Sequence, residues 1–213
     1  MFHRFQSYLP HIRIGSNWVI LVTGGFNSKN NSSGRGITKF GDYVYVTTEN
    51  RETGAELWRC SSDNIKAYLS SPKQEKDKDS LKLWEQVANK GLGDSQNFWF
   101  SDLLVFEDEL YMGTMNNVSG FSLFKSEDGR NFSEIAKNGA TSRFNHAAML
   151  LTEFNGELYV STMNWVQGFS VFVLQKRNNQ NVLNPVLTNG FNSPSNAYVW
   201  QMYVYKDRLY AGT

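Results

Sequence analysis

No disulfide framework can hold this chain together. Its 213 residues contain one cysteine, Cys60, so its core has to come from packing. Long apolar runs are also missing. The longest early one, Trp18 to Val22, falls far short of the roughly 20 residues a membrane-crossing helix needs. Met1 to Ile14 carries charges and Pro10 and has no signal-peptide hydrophobic region. Neither sign of charge dominates, with 21 Lys+Arg against 20 Asp+Glu. No basic face is implied, and nucleic acid is not an expected partner. No second His or Cys stands at metal-ligand spacing from His146, so neither a metal nor another cofactor is expected. Nothing in the chain marks a compartment.

What the chain has in plenty is repetition. Phe40 to Thr48, Phe106 to Thr114, Phe154 to Thr162 and Tyr205 to Thr213 follow one template, with an aromatic eight residues before a threonine. A glycine lies fifteen residues before each aromatic: Gly25, Gly91, Gly139 and Gly190. An asparagine follows each glycine by six: Asn31, Asn97, Asn145 and Asn196. Asn50, Asn116 and Asn164 follow the threonine by two, and Gly54, Gly120 and Gly168 come four later. Thr114 and Thr162 are 48 apart, Thr162 and Thr213 are 51 apart, and Thr48 and Thr114 are 66 apart. The excess sits between Asp63 and Leu83, around the charged run Lys73 to Asp79, and reads as a solvated insertion loop.

A repeat of about 48 residues suits helical repeats and β-propellers alike. The apolar runs decide between them. They are about 4–7 residues long, rich in Val, Tyr, Phe and Trp, and bounded by Gly, Asn and Asp, which are strand and turn signals. Four such runs per repeat predict an all-β fold of four-stranded antiparallel blades, a partial or small β-propeller. A lone four-stranded sheet cannot bury both faces, whereas blades packed on each other can.

One β-propeller domain over 1–213 is expected, incomplete by its pattern of strands. The blades fall near 37–90, 101–138 and 148–189, with partial strands at 14–23 and 199–213 and an insertion loop at 63–83. Two arrangements fit: a fragment of a five- to seven-bladed ring, or a four-bladed ring closed by a composite blade. The stop inside a motif favours the fragment. An open ring would leave strand edges that self-associate, and a truncated gene product without independent function is a further alternative.

The run Ser126-Glu127-Asp128-Gly129-Arg130-Asn131-Phe132 resembles a degenerate Asp-box. In that motif serine, aspartate, glycine and a closing aromatic shape the hairpin between the third and fourth strands of a blade. Here Asp128 and Gly129 are adjacent, where the motif has a residue between them. From about residue 14 to 213 the chain is similar to Asp-box and kelch-like propellers. The resemblance implies a fold more than a chemistry, because Asp-boxes occur in sialidases, in sorting receptors and in proteins without catalysis.

Function is expected on the face that gathers the strand 4–1 and strand 2–3 loops. The candidate ligand-binding residues there are Asn50, Asn116, Asn164, Trp99, His146, Trp165, Tyr198 and Trp200. Asparagine amides donate and accept, and aromatic faces stack on sugar rings, so a glycan or protein partner is implied. Asparagines repeated in every blade are better explained as caps of their own turns. Residues that break the repeat, such as Trp165 in place of Asn117 and Arg51, are the stronger functional candidates. A non-catalytic binding scaffold is therefore the first reading. Its rival is a sialidase-like glycoside hydrolase with catalytic residues partly outside this chain. Arg35, Arg51 and Arg143 would serve its loop face, with Glu49, Asp94 and Glu153 nearby, but they form no recognisable set.

Overall fold

A computed structural model describes residues 11–14, 17–71, 80–178 and 180–213, and side chains from Ile20 onward within that range. The charged run Lys73 to Asp79 therefore lies outside the described residues. Two compact units divide the chain, one up to Trp99 and one from Phe100 to Thr213.

In the first unit, a hairpin pairs β1 (His11–Ile14) with β2 (Asn17–Ile20). The sequence suggested a single strand here. A four-stranded antiparallel sheet follows, in the order β3 (Ile37–Phe40), β4 (Tyr43–Thr47), β5 (Leu57–Ser61) and β6 (Trp84–Ala88). Tyr45, Val46, Leu57 and Cys60 are buried on its two inner strands. Phe26 stacks on Trp58 with ring centroids 4.7 Å apart and meets the edge of Trp84 at 5.3 Å. Burying each such ring contributes about 2–3 kcal/mol.

The expected insertion loop carries a helix, Ser62–Ser70. Ser61 caps it by accepting the Asn64 N–H at 3.1 Å, and Asp63 sits in its first turn where the helix dipole favours an anion. Ile65 is buried against Cys60 and Trp84, which anchors the insertion to the sheet. Burial pushes the Cys60 thiol up to about 11, so it packs as a small apolar group and is not a nucleophile.

The second unit holds two blades, the first of which begins with the last residue of the first unit, and a hairpin. One blade is β7 (Trp99–Phe106), β8 (Glu109–Met115), β9 (Leu123–Ser126) and β10 (Ser133–Ala136). The next is β11 (Ala147–Phe154), β12 (Glu157–Met163), β13 (Val171–Arg177) and β14 (Gln180–Leu187). The hairpin pairs β15 (Gln201–Tyr205) with β16 (Arg208–Gly212). A single bridge, Ala147 to Met115, joins the sheets of the two blades. Six of the seven residues of β8 are buried, so this strand is covered on both faces, whereas β10 has none buried. That gradient from inner to outer strand is what blades packed face to face produce. Phe106, Tyr111, Phe121 and Leu123 from one blade and Leu151, Leu158, Val160 and Phe172 from the next form one core.

The fold is thus all-β and built of four-stranded antiparallel blades of β-propeller type. Among the described residues no helix is long and apolar enough to cross a membrane.

Candidate functional site

The landmark residues of the repeat turn out to build the loop end of each blade. The threonine that closes the second strand accepts a backbone N–H from eight residues on. Glu56 N–H reaches Thr48 Oγ1 at 2.9 Å, Ser122 reaches Thr114 at 2.8 Å and Ser170 reaches Thr162 at 2.8 Å. The asparagine two residues later folds the turn onto itself. Asn50 Oδ1 accepts from Glu52 and Thr53, Asn116 Oδ1 from Val118 and Ser119, and Asn164 Oδ1 from Val166 and Gln167, all at 2.8–3.1 Å. These three asparagines are 1% exposed, and their Oδ1 atoms are spent on their own turns.

The Gly-x5-Asn element works in the same way. Asn31, Asn97, Asn145 and Asn196 each donate Nδ2–H to the carbonyl of the glycine six residues earlier, at 2.8–3.0 Å. That bond ties down a left-handed turn in which even Phe26, Leu92 and Phe191 have φ of 58°. A second bond links the two asparagines of a blade: Asn50 Nδ2 to Asn31 Oδ1 and Asn164 Nδ2 to Asn145 Oδ1, both at 2.9 Å.

Successive loops are stapled to one another by backbone bonds. Ala55 N–H donates to Asn97 and its carbonyl accepts from Gly91. Phe121 does the same with Asn145 and Gly139, and Phe169 with Asn196 and Gly190, all at 2.8–3.0 Å. The backbones approach so closely that a Cβ on Gly54, Gly120 or Gly168 would stand 2.7–2.8 Å from the facing glycine nitrogen. This explains the glycine at that offset in every copy.

On this common frame the two units carry different side chains. In the first, Glu49 sits one residue after Thr48 and is bridged by backbone to Ser33 on one side and Trp99 on the other. Its carboxylate accepts from Ser33 Oγ at 3.1 Å and from Arg51 Nε at 2.7 Å. The Arg51 guanidinium lies 4.2 Å from the Phe98 ring centroid, and that of Arg35 lies 5.1 Å from Trp99. Trp99 is half-buried, and its Nε1 is enclosed with no hydrogen-bond partner among the described residues.

In the second unit the residues corresponding to Glu49 are Met115 and Met163, both buried. Met163 is bridged to Tyr198. Three of the aromatics picked out in the sequence come together beside it. Trp165 meets Tyr198 edge to face at 5.2 Å between centroids, and Tyr198 meets Trp200 at 5.1 Å. Trp165 is 59% exposed and Trp200 is 49% exposed, so each indole keeps much of its surface in solvent. The backbone holds this row firmly: Asn164 N–H donates to Ala197 at 2.7 Å and Trp200 N–H to Gly212 at 2.8 Å.

His146 is placed by backbone as well. Its N–H donates to Met163 at 2.7 Å and its carbonyl accepts from Asn116 at 2.8 Å. Nδ1 is buried without a partner among the described residues. Burial, with the nearby Arg143 charge, holds the imidazole below its ordinary value, and the ring packs edge-on to Phe144.

The acids considered for a hydrolase sit in different local settings. Glu153 is exposed near the opposite end of β11, paired with Leu158 one step from the strand 1–2 hairpin, and so is not near the loop face. Six steps of extended strand from Ala147 place it about 20 Å from the loops. Asp94 Oδ1 accepts the Gln96 N–H at 2.9 Å in its own turn. Among the described residues no group of three or more His, Cys, Asp or Glu is placed to hold a metal ion.

Two structural ties were not anticipated from sequence. Ser101 Oγ donates to the Ala148 carbonyl at 2.6 Å, and Asp102 Oδ2 accepts the Leu151 N–H at 2.8 Å. Both cross from one blade to the next. Each occurs in a single copy of the repeat, so periodicity could not reveal them.

No protein-family model matches the sequence, and no curated protein is similar to it. Among solved structures, the chain is similar to the Bacteroides ovatus protein described as Xyloglucan PUL GH43B, at 11% identity and a TM-score of 0.43. The match covers 83% of this chain and 34% of that one, so the chain spans about a third of that protein's length.

Proposed function

We propose that this chain is a non-catalytic binding scaffold that holds a glycan on the aromatic row Trp165–Tyr198–Trp200. The observation that carries the reading is the pair of half-exposed indoles set on either side of Tyr198. Exposed, rigid aromatic surface of this kind is favourable for stacking on the apolar face of a sugar ring and loses little side-chain entropy on binding. The row stands on backbone bonds shared with neighbouring loops, so it is organised before a ligand arrives. Asn50, Asn116 and Asn164, each 1% exposed, support the loops that carry this row.

The test is a panel of neutral oligosaccharides probed by calorimetry. Trp165→Ala and Trp200→Ala are each expected to weaken the best ligand at least tenfold with unchanged thermal stability. Unchanged affinity in both variants would remove this surface as the site.

A glycoside hydrolase is the second reading. Glu49 favours it, because a carboxylate replaces the methionine of the other copies at a loop-end position. Turnover of a fluorogenic glycoside panel, lost on Glu49→Gln, would establish it in place of the scaffold. The likeness of the 126–132 turn to an Asp-box is supported by Asp128. It accepts the N–H groups of Arg130 and Asn131, both at 2.8 Å, within the β9–β10 hairpin. Those bonds, with the Asn131 side chain and Ser126, hold its carboxyl well below the usual carboxylate range.

A further inference from the structure

We infer that the cleft around Gly25 and Asn31 is a docking slot for a partner polypeptide whose chain turns as Asn-x3-Gly-Phe-Ser does. The cleft has a volume of about 730 Å³ and is lined by Val22, Phe26, Asn31, Ser33, Val46 and Thr48, among others.

Three filled copies of the same slot show what it takes. At Gly91/Asn97, Gly139/Asn145 and Gly190/Asn196, one residue of a strand 2–3 loop inserts. It donates its N–H to the asparagine carbonyl and accepts from the glycine N–H. The inserted residue is Ala55, Phe121 or Phe169, each 0% exposed, and the residue before it is glycine in all three. At Gly25/Asn31 the same frame is present. Gly25 has φ 59°, and Asn31 Nδ2 reaches the Gly25 carbonyl at 2.8 Å. Yet among the described residues nothing bonds the Gly25 N–H or the Asn31 carbonyl. One donor and one acceptor are therefore presented at the spacing that three other loops satisfy.

The apolar wall also matches. Phe169 packs edge-on to Phe191 at 5.6 Å, and Phe121 packs edge-on to Phe172 at 6.5 Å. Phe26 and Trp58 hold the positions of Phe191 and Phe172 in the repeat, and they stack on one another beside the slot. An aromatic in the incoming segment would rest on them, and glycine before it would let the backbones close to the distance seen at the other junctions. This is peptide recognition by two main-chain bonds with one pocket for specificity, a short form of strand addition.

The probe is a labelled synthetic peptide with the sequence of Thr114 to Leu123, which contains the turn and no tryptophan. Fluorescence anisotropy against the full chain reads binding, and hydrogen exchange reads the Gly25 amide. Saturable binding with slowed exchange at Gly25 is expected. Peptides carrying Phe121→Asp or Gly120→Val should bind at least tenfold more weakly. Placing both changes in the peptide leaves the protein's own fold untouched. Equal binding of all three peptides, no binding at millimolar concentration, or protection confined to residues away from Gly25 to Asn31 would each overturn the proposal. So would a Gly25 amide already protected in a dimer of this chain, because the occupant would then be a second copy.

Discussion

Glu49 and Met163 occupy the same place in their blades, one residue after the landmark threonine, with backbone bridges on both sides. Around Glu49 the loop end is polar: a serine hydroxyl, an arginine on the carboxylate, and guanidinium groups lying over Phe98 and Trp99. Around Met163 it is apolar and open, with two indoles in solvent and a tyrosine between them. The hydrogen bonds that set the two loop ends are nevertheless the same, threonine for threonine and asparagine for asparagine. The frame is therefore indifferent to what it displays, and chemistry is varied at the positions the frame does not use.

The strongest way to break this comparison is at the staples. Gly54→Val and Gly168→Val each drive a side chain into the facing backbone at 2.7–2.8 Å. Each is expected to destabilise its unit by about 3 kcal/mol or more, read by urea unfolding. Clearly unequal losses would show that the two loop ends are not equivalent. The turn asparagines come next. Asn50→Ala and Asn164→Ala each remove a buried amide with at least three bonds, for an expected loss of about 2–3 kcal/mol in either unit.

Ligand binding should separate what stability does not. Trp165→Ala is expected to reduce glycan affinity at least tenfold, about 1.4 kcal/mol, while Arg51→Ala at the matching position leaves it unchanged. Equal losses would place the ligand on both loop ends. Glu49→Met installs the residue of the sibling copies. Because Arg51 is 59% exposed, its ion pair adds little, and the expected change in stability is within about 1 kcal/mol.

The smallest effect concerns His146, whose folded-state value lies below the ordinary 6.5 because of burial. On acidification the unfolded chain takes up this proton first. The His146 contribution is therefore full above about pH 6.5, declines as the pH falls, and levels off below the folded-state value. His146→Asn should flatten this part of the stability profile measured by thermal melts from pH 7.5 down to pH 5. A profile identical to that of the unchanged protein would remove His146 as its source.

Much of the frame was legible because it is repeated. Thr114, Asn116, Gly120 and Gly139 recur at fixed offsets in every complete copy, and each proved to make a bond or a close approach that its copies also make. A polar residue repeated at one offset points to its own turn, and Asn164 bonds Val166 and Gln167 there. What appears once was harder to see. The cap at Ser61 that starts the Ser62–Ser70 helix occurs once and stands beside a strongly charged run, so the sequence pattern there points to a loop. Glu153 precedes the hairpin aromatic Phe154 by one residue, which fixes it at the end of its strand away from the loops. The aromatic row was recognised residue by residue, but its geometry depends on the Met163–Tyr198 bridge, which no spacing within one repeat encodes.

The helix Ser62–Ser70 also marks where this architecture can change length. It leaves β5 at the end away from the loops, between strands that remain paired from Leu57–Ala88 to Cys60–Trp84. Closing a longer connection there adds only about 0.6 kcal/mol for each doubling of its length. The turn at the other end has no such latitude, because its residue count sets which amide meets which carbonyl in the next blade. A grafted epitope, reporter or second domain therefore belongs in the connection from β5 to β6, at the end of the sheet away from the loops, where the display surface keeps its register.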